Sequence, residues 1–108
     1  MAWGTIFNLS LEINLPVTFE GTSVNYAVTD FGGNQSVDAV DPSNAANNVK
    51  KTTKPNGAET WAGTTIGTAS GFATAIPITA TNTKMSVRVY SPAADIPVLL
   101  KIEDHRDP

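Results

Sequence analysis

The chain has 108 residues, with seven Lys+Arg, ten Asp+Glu, one His and no Cys. This length predicts one domain over residues 1–108, the missing Cys excludes disulfides, thiolate metal sites and a Cys nucleophile, and the lone His excludes a His-built metal cluster within one chain. A net charge of -3 argues against phosphate-driven nucleic-acid binding, and charged residues are only 16%, against roughly a quarter in ordinary domains.

Phe7, Leu9, Leu11, Ile13, Leu15, Val17 and Phe19 hold every odd position, and polar residues or Pro16 hold the even ones. A strict period of two predicts extended chain with one buried face. Pro16 has no N–H to give a ladder and divides the run into strands at about 5–14 and 16–20. Val24 to Asp30 alternates again and ends at the turn signal Phe31-Gly32-Gly33-Asn34. Ser36 to Val40 and Ala45 to Thr53 read as short strands, separated by the turn Asp41-Pro42-Ser43-Asn44. After Lys54-Pro55-Asn56-Gly57, a strand is expected over Glu59 to Ile66, and Gly67 to Ala80 reads as a loop with a short strand. Two further strands are expected at 84–90 and 96–104, joined by a turn at Ser91 to Asp95. They would place Met85, Val87 and Val89, then Val98, Leu100 and Ile102, on one buried face. No window of a dozen residues has helical apolar spacing. The predicted class is all-β, an antiparallel β-sandwich or jelly roll of seven to nine strands.

No run of about 18 apolar residues is present, so no membrane span is expected. Met1-Ala2-Trp3-Gly4-Thr5 has neither a basic nor a continuous apolar stretch and does not read as a signal peptide. Catalysis has little support: there is no Gly-x-Ser-x-Gly, Asp104 and His105 are strand neighbours that point to opposite faces, and Gly32-Gly33 precedes no helix. The protein is expected not to be an enzyme.

Three blocks carry a family resemblance. The first is Leu15-Pro16-Val17-Thr18-Phe19-Glu20 with Val24-Asn25-Tyr26 and Thr29-Asp30-Phe31-Gly32-Gly33. The second is Lys50-Lys51-Thr52-Thr53-Lys54 with Glu59-Thr60-Trp61-Ala62-Gly63-Thr64-Thr65. The third is Met85 to Pro92 with Ile96-Pro97-Val98 and Glu103-Asp104-His105. Together they resemble a β-sandwich module of secreted bacterial proteins, attached to polysaccharide-degrading enzymes and similar to jelly-roll carbohydrate-binding modules. The resemblance covers about residues 15–108. It implies an extracellular, non-catalytic module with a polysaccharide as its ligand. Members of the family continue past the Asp-His block with further strands. This chain therefore reads as the first two-thirds of a module, preceded by an extra apolar strand over residues 1–14. Residues 1–14 or a second chain would then complete the sheets, since open strand edges are normally covered.

Arg88, Tyr90, Lys101, Glu103 and His105 would share one outward face if the last two strands pair. Sugar recognition needs an aromatic plate for C–H faces and directed donors and acceptors for hydroxyls. Trp61 or Tyr90 would supply the plate. The competing reading of that face is a solvated sheet surface with weak cross-strand ion pairs, and for Trp61 it is a core anchor. Glu20, Asp30, Asp38 and Asp41 form a loose acidic set. The resemblance makes Glu20 the early ligand of a structural Ca²⁺, although the late Asp ligands of such modules are missing here. A second functional reading follows from the Phe7–Phe19 alternation: a self-assembling subunit, homo-oligomer or filament, that adds its N-terminal strand to a neighbour.

Overall fold

A computed structural model describes residues 11–104 and 106. The described residues are all-β and contain no helix. Four strands form two small antiparallel sheets: β1 (Val28–Phe31) pairs with β4 (Gly63–Ile66), and β2 (Gln35–Asp41) pairs with β3 (Asn44–Thr53).

The β2–β3 hairpin follows from local turn chemistry. Asp41 Oδ1 accepts from the Ser43 N–H at 2.8 Å and from the Ser43 hydroxyl at 2.7 Å, while the Asn47 amide donates to Oδ2 at 3.1 Å. These bonds hold the Asx turn through Pro42, whose fixed φ suits it. The expected strands at 36–40 and 45–53 and the turn between them are present at nearly those bounds. A register shift at Val40/Asp41 marks the approach to the turn. β1 and β4 pair with Val28 opposite Ile66 and Phe31 opposite Gly63, so the strand expected over 59–66 is shorter than its apolar pattern.

Of the two strands expected from the N-terminal alternation, the described residues show none over 16–20. Residues 5–10 of the first lie outside the described residues. Leu11 makes a parallel bridge to Val24, with Leu11 N–H donating to Ser23 O at 2.8 Å and Asn25 N–H to Leu11 O at 2.9 Å. Ile13 is fully buried, yet Leu11 and Leu15 on the same parity are exposed. Residues 16–20 do not form a ladder, because Pro16 lacks a donor and Phe19 has a left-handed φ of 59°. Ile13 anchors the described core: its carbonyl accepts from Ala73 N–H at 2.9 Å, and its side chain lies close to buried Gly67 near Phe72.

The C-terminal hairpin is also corrected. Among the described residues, no backbone hydrogen bond joins 84–90 to 96–103. Among the described residues neither 84–90 nor 96–103 belongs to a sheet, while Asp104 makes an isolated bridge, and the two apolar rows expected to be buried are 39% to 59% exposed. The period of two specifies an extended segment with a one-sided apolar row; it does not specify what covers that row.

Candidate functional site

The strongest candidate lies where β1 ends and β4 begins. Phe31 closes β1, and Trp61 stands two residues before Gly63 opens β4. The Phe31 and Trp61 rings stack with centroids 6.4 Å apart and planes 8° from parallel. Two glycines make this close approach possible. A Cβ on Gly63 would lie 2.7 Å from Phe31 Cζ, and one on Gly32 would lie 2.9 Å from Trp61 Cζ3 and 2.8 Å from Ala62 Cα. The Gly32 carbonyl accepts from Glu59 N–H at 2.9 Å, which ties the segment carrying Trp61 to the turn. The Lys54 ammonium donates to Thr60 O at 2.9 Å and braces the same segment from β3's end. Trp61 is 63% exposed and Phe31 is 43% exposed. Trp61 is therefore exposed rather than a buried core anchor, with its ring stacked against Phe31.

A polar hub links all four strands. Asp30 (β1) sits opposite Thr64 (β4), and Ser36 (β2) sits opposite Thr52 (β3). Asp30 Oδ1 accepts from the Thr64 hydroxyl at 2.6 Å and the Ser36 hydroxyl at 2.7 Å, and Oδ2 accepts from Ser36 N–H at 2.7 Å. The Asn34 amide donates to Thr52 Oγ1 and Thr64 Oγ1, each at 2.6 Å. The bonds from Thr64, and then those from Ser36, hold the Asp30 carboxyl below its usual range because they favour the charged form. Sequence reading missed this hub and placed Asp30 in a loose acidic set. Its partners Ser36 and Thr64 are 6 and 34 residues away, so local spacing gave little sign of them.

The other residues singled out from the sequence are distributed as follows. Tyr90 is exposed. Lys101 Nζ lies 3.7 Å from Glu103, as period two places residues i and i+2 on one side. Arg88 acts on Asp41: the Ser43 hydroxyl, the Ser43 N–H and the Asn47 amide, with a smaller part from the Arg88 charge, hold the Asp41 carboxyl low. None of the interactions among the described residues brings Trp61 together with Arg88, Tyr90, Lys101 or Glu103. His105 lies outside the described residues.

The acidic set is dispersed. Glu20 accepts from Asn48 N–H at 2.7 Å through Oε1 and from the Asn48 amide at 3.0 Å through Oε2. Asp38 pairs with Lys50, and Asp30 and Asp41 have the partners given above. Ca²⁺ needs six to eight oxygens. Among the described residues no three acidic or imidazole groups gather as a metal centre requires. Each Glu20 oxygen accepts one bond from Asn48, and the other oxygens that Ca²⁺ would need are not gathered around it among the described residues. No helix of the described residues is long and apolar enough to cross a membrane.

Compared with known proteins, the chain matches no family model, no curated protein and no solved structure.

Proposed function

We propose that the protein is a non-catalytic, extracellular module of β-sandwich type that binds a polysaccharide, with Trp61 as its stacking plate. The observation that carries this reading is the exposed indole of Trp61, held against Phe31 by two glycine contacts. A flat apolar ring fixed at the surface suits the C–H face of a pyranose. Thr60 and Glu59 flank it in the chain and offer hydroxyl and carboxylate partners. Arg88, Tyr90, Lys101, Glu103 and His105 are proposed as further contacts. Affinity-gel retardation against a panel of soluble polysaccharides tests the reading. Retardation by at least one glycan, lost in Trp61→Ala and partly kept in Trp61→Phe, is the expected result. Undiminished retardation of Trp61→Ala removes the plate from the site, and no retardation of the wild type by any glycan ends the reading.

A second reading is favoured by one observation: Met85, Val87, Val89, Val98, Leu100 and Ile102 are exposed on segments that join no sheet among the described residues. Such rows take an added strand readily, because main-chain bonds and alternate side chains are satisfied together. In this reading the protein self-assembles, through these rows or through residues 1–14. Mass-resolved sedimentation over a range of concentrations should give oligomers, and Val87→Lys or deletion of residues 1–14 should dissociate them. A monomer at every concentration refutes it.

A further inference from the structure

A second concave site, whose lining does not include Trp61, lies between residues 19–27 and the β2–β3 hairpin. Its volume is about 420 Å³, and its walls include Phe19, Tyr26, Asp38, Asn48, Val49 and Lys50. Small-molecule sites occupy roughly 300–1,000 Å³. Asp38 and Lys50 are directly opposite in the hairpin register, and Asn48 is two residues from Lys50. All three therefore belong to one face.

Direct side-chain contacts organise the walls. The left-handed turn at Phe19 sets its ring against Tyr26, with centroids 5.4 Å apart and planes at 58°. The Lys50 ammonium lies 5.7 Å from the Phe19 centroid and also pairs with Asp38. Cation–π attraction thus holds Lys50 independently of Asp38. The Lys50 side chain is 16% exposed and that of Asp38 is 90% exposed, so the carboxylate is the member able to turn toward a ligand. The Tyr26 hydroxyl lies 3.0 Å from Thr18 Oγ1, and Glu20 fixes Asn48 from the side.

This is an aromatic pair beside a matched donor and acceptor. A vicinal diol donates one proton and accepts one hydrogen bond. It can replace the direct Asp38–Lys50 contact by bridging the two, while its ring lies against Phe19 and Tyr26. Asp38 cancels the charge of Lys50, and Glu20 adds negative charge beside Asn48, so an anionic ligand is disfavoured. We propose that the cleft is a second subsite that binds a single neutral pyranose through a vicinal diol. This rests on the polysaccharide-binding reading above and adds a site distinct from the Trp61 plate.

Amide chemical shifts of the intact chain, titrated with methyl β-glucopyranoside, methyl β-galactopyranoside, methyl α-mannopyranoside and methyl β-glucuronide, test the proposal. At least one neutral glycoside should shift the amides of Asp38, Asn48 and Lys50. Lys50→Met and Asp38→Asn should each weaken that binding by about tenfold or more, as expected for loss of a hydrogen bond to a charged group. Lys51→Met, on the opposite face of β3, should bind as the wild type does, and each variant's own spectrum reports whether it is folded. Shifts confined to the surroundings of Trp61 overturn the cleft and leave the plate standing. Cleft shifts with no polysaccharide retardation overturn the plate and leave the cleft. Absence of cleft shifts with every neutral glycoside, tighter binding of the glucuronide, or undiminished binding by folded Lys50→Met and Asp38→Asn overturns the proposal.

Discussion

Gly32→Ala should destabilise the protein more than Gly33→Ala, although the two glycines are neighbours in one turn. Both have left-handed φ, 68° and 92°, and an L-residue there costs about 1–2 kcal/mol. The two positions differ in what an added methyl meets. At Gly33 the nearest atoms are those of Ala58 at 3.4 and 3.5 Å, near ordinary contact. At Gly32 the methyl would lie 2.8 Å from the Ala62 backbone and 2.9 Å from Trp61 Cζ3. The Trp61 ring must then shift or β4 must move, and overpacking of this kind costs about 1–3 kcal/mol. Gly32→Ala is therefore expected to lose about 2–5 kcal/mol in total, against about 1–2 kcal/mol for Gly33→Ala. Urea unfolding followed by circular dichroism measures both. Tryptophan emission in a Trp3→Phe background reports Trp61, and should change for Gly32→Ala alone. Equal losses within about 0.5 kcal/mol, which is the usual scatter of surface substitutions, with unchanged emission, would refute the close packing of the turn under Trp61.

Three other outcomes are expected. Ile13→Ala removes the fully buried side chain beside Gly67 and Phe72 and should cost about 2–5 kcal/mol in urea unfolding; a loss under about 1 kcal/mol would show that this side chain does not anchor the core. The Asp30 carboxyl is held below its ordinary value of 3.8, so its hydrogen bonds stabilise the fold fully above that pH. That contribution is lost as pH falls through the lower folded value. Asp30→Asn should therefore flatten the acid limb of a stability–pH profile, and an unchanged limb would remove Asp30 from the hub. Asp41→Ala leaves the turn donors of Ser43 and Asn47 without their acceptor, so amide exchange at residues 43–47 should accelerate while exchange in β4 stays as before; uniform exchange in both regions would show that Asp41 does not hold the turn.

Much of what the chain does locally could be read from its residues. Asp41-Pro42-Ser43-Asn44 specified its turn because the donors and the acceptor are within two residues of one another, and the flanking strands followed. Gly32-Gly33 marked a second turn because glycine alone adopts left-handed φ without strain. Other signals were ambiguous without neighbours. Trp61 in a setting of Ala and Gly fitted a core anchor as well as a surface plate. The structure leaves it exposed and stacked on the Phe31 ring, which lies against Gly63. Asp30 read only as one of a loose acidic set until Ser36 and Thr64 were brought to it from two other strands. Glu20, the ligand implied by the resemblance, takes its hydrogen bonds from Asn48, 28 residues away.

By itself the sequence determined the all-β class and the hairpin. Backbone propensity, turn residues and the alternation of side chains act over a few residues and need no partner. The tertiary structure alone decided which alternating rows found cover. Phe7 to Phe19 and Met85 to Ile102 carry the same periodic pattern, yet of their described members Ile13 is fully buried while Val87, Val98 and Leu11 face outward. Period two fixes which side chains share a face. The burial of that face depends on a surface supplied from far along the chain or from another molecule.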